Sequence, residues 1–207
     1  MDSNVLEIIG MVIIAYLLGS IPSGVWIGKL FYHVDIRRHG SGNIGTTNTY
    51  RVLGPIAGSI VLVMDISKGA LATLLPTLLN NNTINPLVFG LFAILGHTFS
   101  IFDKFKGGKA IATSAGMLLA YRPILFLIAA GLWISLILIT STVSFASIFA
   151  FITITIIIYF THDIFLSVLA TILCIFIIYR HRENIKRMLN GTESKVNLGF
   201  PYWFGKK

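Results

Sequence analysis

The charge in this chain is gathered into a few places. Of its sixteen Lys and Arg residues, fourteen fall in three short polar breaks that separate long apolar runs. About a quarter of the residues of a soluble domain are charged. Here 12% are, against 55% apolar, and mean hydropathy is +0.83. That composition points to an all-α, polytopic transmembrane helix bundle. Its 207 residues leave no length for a separate soluble domain, so residues 1–207 are expected to form one transmembrane domain.

Apolar runs bounded by polar or turn residues cover Val5–Gly28, Val52–Leu79, Pro86–Phe102, Ala110–Tyr121, Pro123–Thr140, Val143–Phe160 and Ile164–Tyr179. They predict seven helices, with five possible. Ala110–Tyr121 is roughly 18 Å long as a helix, short for a hydrocarbon core of roughly 30 Å. The first run is expected to be a retained helix and not a signal peptide, because it has no basic leader and no small-residue cleavage site.

Lys and Arg in short loops are retained on the cytoplasmic side. Lys29, Arg37, Arg38 and Arg51 flank the first break, and Lys104, Lys106 and Lys109 occupy the second. Arg180, Arg182, Lys186, Arg187, Lys195, Lys206 and Lys207 follow the last run. On the opposite side fall Asp2, Glu7, the NNNTINP turn from Asn80 and the THD turn at Thr161, with Arg122 the one exception. The expected topology puts the N-terminus outside and the C-terminus and all three breaks in the cytoplasm, which requires an odd number of crossings. The net charge of +8 is then a cytoplasmic field for anionic lipid heads and phosphorylated metabolites. So small and divided a basic surface excludes nucleic acid. The lone Cys174, in the last run, leaves no disulfide and no paired-cysteine metal site.

The breaks, at 29–51, 103–109 and 180–207, carry residues suited to an anion. In the first, Ser41, Gly42, Asn43, Gly45, Thr46, Thr47 and Asn48 lead into a helix expected to hold Arg51 in its first turn. Glycine loops and helix starts offer free amides to phosphate, and Thr47 and Arg51, four apart, share a helix face. In the second, Gly107 and Gly108 precede Lys109, with Thr113 just beyond. Asp103 and Ala110 stand where a nucleotide-binding P-loop requires Gly and Ser or Thr, which disfavours nucleotide hydrolysis. In the third, His181 and Asn184 lie three apart on one helical face, followed by Gly191 and Glu193. Each break has a plainer reading: a capped loop, a topology-setting basic turn, a basic helix on anionic lipid. Within the second run, Asp65 and Lys68 lie at a depth where unpaired charge is costly, so they are expected to pair as a salt bridge or a functional polar core. His97 reads as a packing residue that could approach the site, and His162 as an external, solvated one.

Together the breaks resemble the motifs of the bacterial acyl-phosphate-dependent glycerol-3-phosphate acyltransferases, polytopic enzymes of phospholipid biosynthesis. The first break matches in Ser41, Gly42, Asn43, Gly45, Thr47, Asn48, Arg51 and Gly54; the second in Gly107, Gly108, Lys109, Ala112, Thr113 and Gly116; the third in His181, Arg182, Asn184, Ile185, Arg187, Gly191 and Glu193. GSIPSG from Gly19 and the Asp65–Lys68 pair also look like family features. Thr46 departs from a usual alanine and Ala110 from a usual glycine, which would be strained if the backbone there needs positive φ.

The resemblance implies an inner-membrane, cytoplasm-facing enzyme that moves a fatty acyl group from acyl phosphate to the sn-1 hydroxyl of glycerol 3-phosphate. The products are lysophosphatidate and inorganic phosphate. A mixed anhydride is reactive enough that no cofactor or metal is expected; the partners are the two substrates and membrane lipid, and the chain is expected to be a monomer. On this reading Ser41, Arg51 and Lys109 hold glycerol 3-phosphate, Gly and Thr amides of the first break receive the acyl-phosphate head, and His181 and Asn184 align the reacting groups. Gly107, Gly108, Thr113 and Glu193 complete the substrate-binding set. A phosphate transporter is the alternative of another class, but its polar groups belong at the midplane of repeated halves, and no internal repeat is evident. Acyl-CoA or acyl carrier protein is the alternative donor.

Overall fold

The computed structural model describes residues 3–204. Asp2, Lys206 and Lys207, counted among the flanking charges, lie outside the described residues. Every regular element described is helical, and the chain divides into two compact units, 1–122 and 123–207.

Unit 1 contains α1 (Ser3–Ser20), α2 (Ser23–Phe31), α3 (Thr46–Leu53), α4 (Pro55–Leu78), α5 (Pro86–Thr98) and α6 (Ile111–Tyr121). Short 3₁₀ turns cover Ile36–Arg38 and Ile101–Asp103. The Val5–Gly28 run is not one helix, as expected, but breaks at Ile21–Pro22, where proline supplies no N–H and its ring crowds the preceding turn. Nor does the second run begin a long helix at Val52. Gly54, at φ +89°, separates α3 from α4, and Pro55 starts α4 at a position where its missing N–H costs nothing. Arg51 therefore sits in the last turn of α3, not in the first turn of a long helix, and there its charge complements the helix dipole.

Close helix contact in unit 1 comes from glycine. A Cβ on Gly69 would lie under 3.0 Å from the backbone of Thr113, and one on Gly116 equally close to that of Ile66. The backbones of α4 and α6 thus touch, as small residues permit in membrane helices. Met11, Ala15, Ala72, Phe89 and Ala93 fill the core among α1, α4 and α5, while Val25, Ile36 and Ile44 form a smaller core beneath the first break.

Unit 2 contains α7 (Pro123–Thr140), α8 (Val143–Tyr159), α9 (Ile164–Arg180), α10 (Arg182–Leu189) and α11 (Phe200–Phe204). Asp163 caps α9 by accepting from Leu166 N at 3.0 Å. α9 and α10 meet at His181 with a bend of 57°.

Each run read from the sequence holds one of the described helices α1 and α4 to α9, yet not all of these are long enough to span. By length and composition, four stretches of the described residues can cross a membrane: α1, α4, residues Pro86–Asp103 and α7. The bent pair α9–α10 makes a fifth. α6 and α8, with 11 and 17 residues, are shorter apolar helices.

Candidate active site

Unit 1 joins two sequence features whose connection was not evident from either alone. Asp65 and Lys68 pair at 2.8 Å, both buried, halfway along α4. Asp65 also accepts from Ser23 Oγ at 2.9 Å, and Lys68 donates to the Ile21 carbonyl at 3.0 Å. The ion pair therefore clamps the α1–α2 break: the acid takes the first hydroxyl of α2, and the base takes a carbonyl that the proline break leaves outside the helical ladder. The GSIPSG segment and the α4 charges are thus one structure. Asp65 Oδ1 also faces His97 Nδ1, at 3.9 Å.

His97 in turn shapes the second break. Its carbonyl accepts from Gly108 N at 3.1 Å, and a Cβ on Gly107 or Gly108 would strike the His97 and Thr98 carbonyls or the His97 ring at under 3.0 Å. The two glycines let the loop lie flat on the end of α5. The Gly108 amide, expected to face an oxyanion, faces His97 instead. Lys109 follows, half-buried, and Ala110 then adopts φ +66° directly ahead of α6. The left-handed conformation that made alanine questionable at this position is thus present. Thr113 is fully buried at the α4–α6 crossing, with no hydrogen-bond partner for its hydroxyl among the described residues. Its neighbour Ser114 is buried in the same state.

The first break is held from within by asparagine. Asn48 is buried; its Oδ1 accepts from Ser41 N at 2.8 Å, and its Nδ2 donates to the Ile36 and His39 carbonyls at 3.0 and 3.1 Å. Asn43 Oδ1 accepts from Gly45 N at 2.9 Å. Both asparagines, expected to bind substrate, fold the loop: Asn48 engages both its side-chain polar atoms in doing so, and Asn43 its Oδ1. Gly42, at φ +70°, makes the turn that a side chain would strain. Ser41 and Arg51 are exposed and Thr47 half-buried, so these three candidate side chains reach solvent.

Arg37, left out of the expected site, ties the first and second breaks together. It bonds Asp35, with Nε to Oδ1 at 2.8 Å, and reaches Asp103 in the second break through Nη1. The hydrogen bond from Arg37 outweighs desolvation and holds the Asp35 carboxyl far below the ordinary range, while the arginine is pushed above its own. An Asp-x-Arg spacing in the loop was the available signal.

In unit 2, His181 is buried at the α9–α10 bend, and its Nδ1 lies 2.9 Å from the Ile177 carbonyl. A carbonyl only accepts, so Nδ1 carries a proton, and a neutral ring of that tautomer has its lone pair on Nε2. One turn on, Asn184 Nδ2 donates to Ser144 Oγ at 2.7 Å and to Glu193 Oε1 at 2.6 Å. Ser144 Oγ donates to the same oxygen at 2.7 Å, and Arg187 Nε meets Glu193 Oε2 at 2.7 Å. Burial raises the Glu193 pKa, but the hydrogen bonds from Ser144, Asn184 and Arg187 outweigh it and hold the group below its ordinary value. Glu193, expected both to join the substrate-binding set and, with Gly191, to brace the last loop, has both oxygens engaged within the unit. Its Oε1 holds the Asn184 amide in place. Ser144 completes this cluster and was missed, because one hydroxyl in an apolar helix carries no signal of its own.

Among the described residues, no three His, Cys, Asp or Glu side chains gather as metal ligands.

The sequence profile of the Glycerol-3-phosphate acyltransferase family matches residues 9–191. A glycerol-3-phosphate acyltransferase of Levilactobacillus brevis is 61% identical over 201 residues, which is 95% of this chain and 97% of that one. One from Bacillus subtilis is 53% identical, over 90% of this chain and 96% of its own. Among solved structures, the glycerol 3-phosphate form of PlsY (YgiH), an integral membrane glycerol 3-phosphate acyltransferase, aligns with a TM-score of 0.85 at 38% identity, over 91% of this chain and 94% of that one. Its lysophosphatidic acid form aligns at 0.82 and 38% identity, over 90% and 94%. With three motif-bearing breaks in order, an all-helical apolar fold and matches of this extent, the chain belongs to the glycerol-3-phosphate acyltransferase family.

Proposed function

We propose that the chain transfers a long acyl group from acyl phosphate to the sn-1 hydroxyl of glycerol 3-phosphate, releasing lysophosphatidate and inorganic phosphate. The observation that carries this reading is His181, buried at a helix bend with Nδ1 turned to its own helix and Asn184 fixed one turn away. The glycerol 3-phosphate and lysophosphatidic acid forms of the solved relative supply an acceptor and a product that fit the same chemistry.

The hydroxyl oxygen bonds to the acyl carbon, the bond from that carbon to the phosphate oxygen breaks, and the electron pair leaves with phosphate. The hydroxyl proton goes to His181 Nε2 or to the departing phosphate. Ser41, Arg51 and Lys109 hold glycerol 3-phosphate, with Arg51 offering the two-pronged contact that an ammonium lacks. Thr47 and the amides ahead of α3 receive the acyl-phosphate head. Glu193, Asn48 and Asn43 brace the groups that touch substrate, and Gly107 and Gly108 set the path of the loop before Lys109. Rate comes from positioning the two substrates, without a covalent enzyme intermediate.

The bundle crosses the inner membrane an odd number of times, seven with α6 and α8 counted and five without. The N-terminus lies outside, the three breaks and C-terminus lie in the cytoplasm, and the chain works as a monomer. The confinement of Lys and Arg to the breaks supports this orientation.

The test is purified protein given glycerol 3-phosphate with acyl phosphate, acyl-CoA or acyl carrier protein in turn. Phosphate release in step with lysophosphatidate, with acyl phosphate alone as donor, is expected; turnover with acyl-CoA alone would reverse the donor. H181Q separates the two proton routes: retention of most of kcat assigns the proton to the leaving phosphate, and its loss assigns it to His181.

A further inference from the structure

The family profile ends at residue 191, yet the chain beyond it folds back on unit 2 in an ordered way. Val196 N donates to the Ser141 carbonyl at 2.8 Å, and Ser141 Oγ donates to the Leu198 carbonyl at 2.6 Å. Gly199, at φ +96°, passes so near the end of α7 that a Cβ would lie under 3.0 Å from the Ile137 and Leu138 carbonyls. These contacts seat residues 196–199 against the α7–α8 turn. The α11 helix then presents Phe200, Trp203 and Phe204, whose rings form one cluster at 6.0 and 6.5 Å between centroids and are 54–76% exposed.

Three clustered aromatic rings left open on a docked, five-residue helix are not covered by their own unit. What lies beside them is α7, the most apolar candidate span, which carries exposed Ile134 and Ile139 toward its C-terminal end. A surface continuous with a lipid-facing helix meets lipid. Its aromatic composition, with Trp203 and the exposed cation Lys195 nearby in sequence, suits the headgroup boundary and not the hydrocarbon centre.

We propose that residues 196–204 are an interfacial anchor, with Phe200, Trp203 and Phe204 embedded at the bilayer's headgroup boundary. Glu193 lies just ahead of this strap in the chain, so the anchor ties the Ser144–Asn184–Glu193 cluster to a fixed height in the membrane. The anchoring stands independently of the donor and acceptor assigned above.

The experiment uses the full chain with Trp26 and Trp133 replaced by Phe, leaving Trp203 as the one indole. It is placed in vesicles of phosphatidylcholine and phosphatidylglycerol brominated either near the headgroup end or near the methyl end of the acyl chain. Loss of Trp203 emission with the first lipid, little with the second, and poor quenching by aqueous iodide are expected. Strong iodide quenching without lipid quenching would overturn the proposal. So would lipid-independent shielding found in crowded vesicles but absent from discs holding one protein, which would give the surface to a second copy. Hydrogen exchange asks the same question with Trp26 and Trp133 intact. In F200S/W203S/F204S the Val196 amide is expected to exchange faster than in the unsubstituted protein in vesicles, and equal rates would show that the aromatics do not hold the strap.

Discussion

Removing the Glu193 carboxylate isolates the proposed bracing of Asn184. In Glu193→Ala, three hydrogen bonds of 2.6 to 2.7 Å disappear. Arg187 is 40% exposed and regains water, so its loss is small. Ser144 and Asn184 are buried and still bond each other, which leaves one O–H and one N–H without the acceptor they had. At about 1–3 kcal/mol for each unsatisfied buried donor, partly relieved by water entering the vacated space, the cost is about 3 kcal/mol. If that energy is what holds Asn184 in its working position, kcat falls about a hundredfold. Glu193→Gln keeps a carbonyl oxygen for Ser144 and Asn184 and turns its amide toward the exposed Arg187, so it loses only about 1 kcal/mol, or about fivefold. Because the native pKa lies below the ordinary 4.5, the stabilisation is complete above that pH and is lost as pH falls through the depressed value. The ranking should therefore be constant across neutral pH. The assay is phosphate release at saturating substrates, with KM for each substrate measured separately. Equal losses in the Gln and Ala variants, or a loss confined to KM for glycerol 3-phosphate, would refute the bracing role and return Glu193 to the substrate.

Other expectations follow from the same geometry. Ala110→Gly relieves a left-handed alanine at a cost of about 1–2 kcal/mol, offset in part by added freedom in the unfolded chain, so Tm in detergent should rise by about 2–4 °C; a fall would mean that Ala110 is not left-handed in the protein. Asp65→Asn leaves buried Lys68 without its counter-ion and should destabilise by about 3–5 kcal/mol, whereas the paired D65L/K68M replacement should cost clearly less; the opposite order of unfolding midpoints would argue against an ion pair. Asp103→Asn, which loosens Arg37 between the two breaks, should raise KM for glycerol 3-phosphate more than it lowers kcat, and R37Q/D103N should lose little more than R37Q alone; fully additive losses would remove Arg37 as a link between them.

The apolar runs and their order were legible because apolar length is a coarse property that tertiary packing does not rewrite. Breaks within runs were less so. Pro22 and its glycine and serine neighbours lay inside a run read as one helix, and the partners that stabilise the break, Lys68 on the Ile21 carbonyl and Asp65 on Ser23, are distant in sequence. Type and spacing mark the candidate residues, but not the partners they meet in the fold. Asn48 and Glu193 are polar residues in basic loops and look like ligands until their partners are counted, and those partners, the Ile36 and His39 carbonyls and Ser144, carry no mark in the sequence. Arg37 shows the converse: a cation read as one of many topology-setting charges has a carboxylate on either side.

The backbone contact between α4 and α6 has a consequence for life in a membrane of changing thickness. A helix that meets its neighbours through long side chains can tilt when the hydrocarbon layer thickens or thins. With Gly69 against Thr113 and Gly116 against Ile66, α6 has no such slack, and its 11 residues are positioned by protein rather than by hydrophobic matching to lipid. Lys109, two residues ahead of that helix, therefore stays at one depth relative to α4 while the surrounding acyl chains lengthen or shorten. In a family of lipid-synthesising enzymes, the second break thus keeps its place against α4 whatever chains surround it.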